Sequence, residues 1–349
     1  MSHTRKLNRR SVLGLSAGAV AAASVHTSAS AQQAAVTWKC VANTRLSRQF
    51  TVKWKWLADE MGERTQGRMK FDVVSFPELG MTGTELIRVL NAGILDAGEV
   101  VTGYVSGEVP MIEGCQMVGV YKDVDEARKA YEAWLPAVVE PLSNRIGGVP
   151  LSSFGFTSQY LWTKQPINDL SDLKGKKIRI FAKAQSDYFT ALGASTVSIP
   201  LAELYSALER GVIDGCITGA EVAAGQKFHE VVGHVSDLMM GPGAGYTVVS
   251  QKAWRGLPPD IKKEFEAIIP QLRKISWDTT KQDDQENLEI VKSRGIKMTI
   301  PAKPDWVPQL KKIAQDVVVP EWVKRSGGAN AVKAFNETIA PIVGFQAKA

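Results

Sequence analysis

The side chain best suited to chemistry is Arg179. It stands in Lys177-Ile178-Arg179-Ile180-Phe181, where strand alternation sets Ile178 and Ile180 on one side and Lys177, Arg179 and Phe181 on the other. An arginine in mid-strand is costly to bury unless an anion meets it. Its planar fork of donors matches a carboxylate with two bonds at once, which the point charge of a lysine does not. Two anions satisfy this spacing equally: an Asp or Glu of the chain itself, or the carboxylate of a small molecule.

Other reaction centres are poorly supported. The serine-elbow pattern Gly14-Leu15-Ser16-Ala17-Gly18 falls inside an apolar leader and is discarded with it. No phosphate-cradling loop of Walker type occurs, and Gly241-Pro242-Gly243-Ala244-Gly245 lacks the spacing of a dinucleotide fingerprint. Beyond the leader only His229 and His234 remain, and five residues apart they occupy different helix faces, a poor metal pair. Cys40, Cys115 and Cys216 are odd in number and far apart, so at most one disulfide can form. Asp and Glu residues are plentiful, but spacing alone does not pair any two for acid–base work. The expectation is therefore a protein without cofactor or metal, and not an enzyme.

The first residues read as an export signal. Arg9-Arg10 precede Ser11-Val12-Leu13, a short apolar run follows, and Ala29-Ser30-Ala31 offers small residues where a signal peptidase cuts. Residues 1–31 are thus expected to be a Tat-type signal peptide, with the mature protein in the periplasm. The leader holds Arg5, Lys6, Arg9 and Arg10 and no acid, so its removal takes the net charge from +6 to +2. A balance this even gives no electrostatic case for nucleic acid or anionic lipid as a partner.

Strands and helices alternate along the rest. A strand over 36–41 leads to a helix with Phe50, Trp54, Leu57 and Met61 on one face, then to a strand over 69–76 stopped by Pro77. Such alternation argues a mostly parallel α/β layer. A repeat is also visible. Glu85-Leu86, Leu90, Gly93 and Ile94-Leu95-Asp96 recur as Glu203-Leu204, Leu208, Gly211 and Val212-Ile213-Asp214, and Val74-Ser75-Phe76-Pro77 is echoed by Val197-Ser198-Ile199-Pro200. Glycine supplies the positive φ that closes each helix; the aspartate either faces a crevice or caps a neighbouring turn. Two similar lobes facing each other are expected, with a ligand held where strand ends meet the crevice.

Gly241-Pro242-Gly243-Ala244-Gly245 is expected to break the chain at a crossing between lobes, ahead of a strand over 246–250. Leu257-Pro258-Pro259-Asp260 opens a helical stretch to about Arg294, long enough to span both lobes. Trp54, Trp134, Trp254, Trp277, Trp306 and Trp322 read as packing residues, whereas Trp162 is kept as a cleft candidate.

From 172 to 238 the residues resemble the binding proteins of tripartite ATP-independent periplasmic (TRAP) transporters. The resemblance lies in Asp172-Leu173-Lys174-Gly175-Lys176-Lys177-Ile178-Arg179, Leu192-Gly193-Ala194, the run from Glu203 to Gly215, and Lys227-Phe228-His229-Glu230-Val231. Pro77-Glu78-Leu79-Gly80 and Leu257-Pro258 extend it outward, so that it covers most of residues 36–300. It implies a two-lobed periplasmic binding protein fold with an interlobe ligand cleft. Lobe I would hold 32–156 and about 244–283, and lobe II 157–243 and about 284–349. It also implies a monomeric receptor that captures a small organic acid and delivers it to TRAP membrane subunits; a sensory adaptor or an exported enzyme are the alternatives. By the same resemblance the carboxylate-clamping arginine is Arg179, and the polar cleft residues are Thr218, Asn43 and, near the first-lobe contact, Thr102. A second basic residue of acid binders falls near Gln159, which departs from the pattern and favours a monocarboxylate, such as a 2-oxo or aromatic acid, over a dicarboxylate.

Overall fold

The two halves of the repeat fold alike. The structure, a computed structural model, describes residues 35–348, so the expected leader lies outside the described residues. The strands are β1 (Val36–Ala42), β2 (Met69–Ser75), β3 (Ala97–Val101), β4 (Gly148–Thr163), β5 (Lys177–Ile180), β6 (Ser195–Ser198), β7 (Gly215–Gly219), β8 (His234–Ser236), β9 (Pro242–Ser250) and β10 (Lys297–Thr299). In the first half β1 pairs parallel with β2 and β3; in the second β5 pairs parallel with β6 and β7. Helices α1 (Lys55–Arg64) and α2 (Leu86–Asn91) make the first set of crossovers. After α3 (Val124–Trp134), helices α4 (Lys183–Ala191) and α5 (Leu204–Glu209) make the second.

The repeated residues do the same work twice. Gly93 and Gly211 end α2 and α5 with φ of 62° and 69°. Asp96 then accepts from the Lys39 backbone N–H at 2.8 Å, and Asp214 accepts from the Lys177 N–H at 2.8 Å. Each aspartate thus ties the start of its third strand to the neighbouring first strand, and neither serves the crevice. The third strand of the first half begins only at Ala97, because Gly93 to Asp96 are spent on this turn.

Strand β4 joins the two halves. Between Gly148 and Ser158 it pairs antiparallel with β9, which in turn pairs with β3; from Gln159 to Thr163 it pairs with β7. Its register shifts between Gly155 and Ser158, where the strand passes from one sheet to the other. The glycine run at 241–245 is not a loop: β9 begins at Pro242. A Cβ on Gly245 would lie 2.2 Å from the Val100 carbonyl oxygen, so glycine here permits close strand contact.

The long helix is divided into α7 (Pro259–Asp278) and α8 (Thr280–Ser293), after α6 (Ala220–Gly225). Gln49 Nε2 donates to the Ser276 carbonyl at 2.8 Å, next to the break between α7 and α8 at Thr279. The C-terminal helices α9 (Val307–Ile313), α10 (Val319–Arg325) and α11 (Ala329–Thr338), expected with lobe II, pack largely on residues 110–139: Trp322 donates to the Pro110 carbonyl at 2.9 Å and its ring lies 6.0 Å from that of Trp134. Trp54, Trp134, Trp277, Trp306 and Trp322 are all buried core residues. The three cysteines are buried, separate and free.

Candidate functional site

Strand β5 carries Arg179 between Val197 of β6 and Cys216 of β7. The side chain is 2% exposed. Its Nε donates to the Ile199 carbonyl at 2.9 Å and its Nη1 to the Ile217 carbonyl at 2.7 Å. Both partners are neutral. Among the described residues no carboxylate is within ion-pair distance of Arg179; the well-buried ion pairs are Lys53–Glu99 and Arg325 with Glu113 and Asp187. Burial lowers the guanidinium's pKa from its ordinary value, and the neighbouring Tyr104 hydroxyl partly offsets this. Phe181, whose ring centre is 5.3 Å from the guanidinium carbon, adds a cation–π contact. Two carbonyls therefore fix the fork's direction while leaving its charge without a counterion from the chain.

The facing wall comes from the first half of the repeat. Asn43 follows β1, and its backbone N–H donates to Glu99 Oε2 at 2.7 Å. The other Glu99 oxygen accepts from Lys53 Nζ and from Trp54 Nε1, each at 2.8 Å. Lys53 and Glu99 are 1% and 0% exposed, so a dry ion pair stands behind the loop that presents Asn43. Burial lowers the Lys53 pKa, against the pull of Glu99. Tyr104, half-buried, completes this wall within reach of both Asn43 and Arg179.

The third side is built on β4, β7 and α6. Gln159 lies opposite Gly219 in the β4–β7 ladder, and its Nε2 donates to the Thr157 carbonyl at 2.9 Å. Gly243 leaves room for it, since a Cβ there would come within 2.8 Å of that nitrogen. Thr218 ends this wall from β7. Glu221, in the first turn of α6, accepts from the Thr157 hydroxyl, which itself accepts from the Ala220 N–H at 2.9 Å. Burial pushes the Glu221 carboxyl up to about 7, the Thr157 hydroxyl opposes the rise, and the carboxylates of Asp283 and Asp284 reinforce it.

Asn43, Gln159, Arg179 and Thr218 thus share one cavity with Tyr104, Phe181 and Glu221. It measures about 20 Å³, roughly the space of one water. A groove of about 550 Å³, lined among others by Thr82, Gly103, Ser186 and Pro200, meets it at Tyr104, Arg179 and Phe181 and opens to solvent. An engineered cavity that takes benzene measures about 150 Å³, so an organic acid reaches the inner cavity only if its walls separate.

Two expected residues lie elsewhere. Thr102 is fully buried and its hydroxyl faces Tyr131 in the core; the chain turns after β3, so Tyr104, two residues on, meets the cavity instead. Trp162 is fully buried, packs against Tyr160 and Phe228, and donates from Nε1 to the Thr218 carbonyl at 3.0 Å. Alternation along β4 gives Gln159 to the cavity and sends Trp162 to the opposite face. Glu221 and Tyr104 were not singled out in the sequence. A glutamate following the all-buried strand β7 is the signal that could have marked the former.

This arrangement of two α/β lobes around a buried cation is that of an extracytoplasmic solute receptor. The family model described as bacterial extracellular solute-binding protein, family 7, matches residues 42–319, and the chain belongs to that family. Its members bind solutes outside the cytoplasm, and the chain is an extracytoplasmic solute-binding receptor rather than an enzyme. The sialic acid-binding periplasmic protein SiaP of Vibrio cholerae is 24% identical over 249 residues, covering 71% of this chain and 77% of that protein. Among solved structures, a Bordetella pertussis extracytoplasmic solute receptor binding pyroglutamic acid aligns with a TM-score of 0.79 at 22% identity, covering 86% of this chain and all of its own. A Desulfovibrio salexigens TRAP periplasmic solute-binding protein with bound orotic acid aligns at 0.80 and 20% identity, covering 88% and 99%. These likenesses establish the two-lobed fold. Among the described residues no helix is long and apolar enough to cross a membrane.

Proposed function

We propose that this receptor captures a small organic acid bearing one carboxylate, and passes it to the membrane subunits of a TRAP transporter. The observation that carries the reading is the buried guanidinium of Arg179, oriented by two backbone carbonyls and left without an acid from the chain. The lobes separate, the carboxylate docks on the fork, and closure buries it between Asn43 and Tyr104 on one side and Gln159 and Thr218 on the other. Hinge closure explains how so small an inner cavity serves a larger ligand. The receptor acts as a monomer after export through the twin-arginine route.

The preference for a single carboxylate rests on the charges of the inner cavity. Arg179 is the one cation among its described lining residues, and Glu221 is an acid. A second carboxylate would meet Gln159 in place of a base and would be repelled by Glu221. The relatives that bind pyroglutamic acid and orotic acid, both monocarboxylates, support the same class. Calorimetry with pyroglutamate, orotate, 2-oxobutyrate, succinate and malate tests it. At least one monocarboxylate should bind with micromolar affinity, about 8 kcal/mol, and the dicarboxylates about tenfold or more weaker. Tighter binding of succinate or malate would overturn the preference.

A further inference from the structure

We infer that the cavity selects acids that carry an N–H donor on the side opposite the carboxylate, and that Glu221 is the residue that reads it. The inference rests on the organic-acid reading above and deepens it. Glu221 is 5% exposed and lines the same inner cavity as Arg179. Its hydrogen bonds within the chain come from the Thr157 hydroxyl and its own backbone amide, and among the described residues no cation is within ion-pair distance. Of the neighbouring acids, Asp283 is paired with Arg48 at 3.2 Å, and Asp284 accepts from the Tyr160 hydroxyl at 2.6 Å through one of its oxygens. Glu221 alone of the three lines the cavity and lacks a charged or phenolic donor.

Arg179 and Glu221 thus face one small space without touching. They are opposite charges that a protein would ordinarily join if stability were the only requirement. Holding them apart makes a site with an acid-seeking end and a donor-seeking end. A ligand with a carboxylate at one end and an ammonium, lactam or ring N–H at the other meets both, and leaves neither buried group unpaired. An acid with an ether oxygen or a methylene in that place leaves Glu221 with only its partners in the chain, and an oxygen there would face it lone pair to lone pair. A carboxyl serves either type of donor: ionised toward an ammonium, and through its carbonyl oxygen toward a neutral N–H.

Matched ligands differing at one ring position give the test. Piperidine-4-carboxylate is compared with tetrahydropyran-4-carboxylate, and 2-oxopiperidine-4-carboxylate with its lactone analogue 2-oxotetrahydropyran-4-carboxylate, by calorimetry on the full-length mature chain and on Glu221→Leu. In at least one pair the N–H member should bind the unmodified protein about tenfold tighter, and Glu221→Leu should erase most of that ratio. Glu221→Gln, of the same shape, guards against a folding defect: it should retain the lactam preference and lose the ammonium one. Equal binding within both pairs, or ratios that survive both substitutions, would overturn the role of Glu221 while leaving the organic-acid reading in place. If neither member of either pair binds, and the monocarboxylates named above also fail, the organic-acid reading falls and this inference with it.

Discussion

Replacing Arg179 by lysine keeps a charge at the site and removes its geometry. The guanidinium uses Nε and Nη1 on the Ile199 and Ile217 carbonyls, so its other donors can meet a ligand. An ammonium cannot satisfy both carbonyls and still present two parallel donors. One charge-assisted hydrogen bond to the ligand is lost, about 1.5–3 kcal/mol, which is roughly a 10- to 150-fold rise in Kd. Arg179→Met removes the charge as well; truncating one partner of a buried charged pair costs about 2–5 kcal/mol, or roughly 30- to 5,000-fold. Calorimetry with the tightest-binding monocarboxylate gives the affinities, and urea unfolding gives stability. Arg325→Met is the control. It strips the guanidinium partner from Glu113 and Asp187, which do not line the inner cavity, and should cost about 3–5 kcal/mol of stability without changing Kd. If Arg179→Met binds within about threefold of the unmodified protein, the guanidinium is not the anion site and the reasoning from its missing counterion is refuted.

The Glu221 carboxyl, raised from 4.5 to about 7, binds its proton more tightly in the folded than in the unfolded chain. Its contribution to stability is therefore full below pH 4.5 and declines by about 3 kcal/mol as pH rises to 7. Urea unfolding at pH 5 and pH 7.5 should show a smaller fall in Glu221→Gln than in the unmodified protein, and an equal fall would contradict the assignment. Lys53→Met leaves Glu99 buried without its ammonium and should lower stability by about 3–5 kcal/mol in the same assay. Thr218→Val removes a hydroxyl from the cavity wall and should weaken binding by about 0.5–1.5 kcal/mol, measured by calorimetry. Trp162→Phe loses one bond to the Thr218 carbonyl and should cost about 1–3 kcal/mol of stability with Kd within about threefold.

Much of the scaffold was legible because its signals are local. The Gly and Asp of each repeat unit act within a few residues of their own helix, and the structure uses them identically in both halves. Alternation along β5 was enough to separate Arg179 and Phe181 from Ile178 and Ile180. What escaped the sequence depends on partners distant along the chain. Gln49 bonds a carbonyl beside the break in the long helix from 227 residues away. The β4–β9 crossing turns a glycine run into strand by the need for close backbone contact. Thr102 and Tyr104 differ only by which side of one short turn reaches the cavity. Glu221 gains its meaning from Arg179 across the space between them, and no spacing rule relates the two.

The most direct measurement is a crystal structure of the mature protein grown with its tightest-binding monocarboxylate. The lobes should close on the acid, with both carboxylate oxygens within hydrogen-bond distance of the Arg179 guanidinium, about 2.7–2.9 Å. A ligand seated elsewhere, or an Arg179 turned to pair with a carboxylate of the chain itself, would contradict the account.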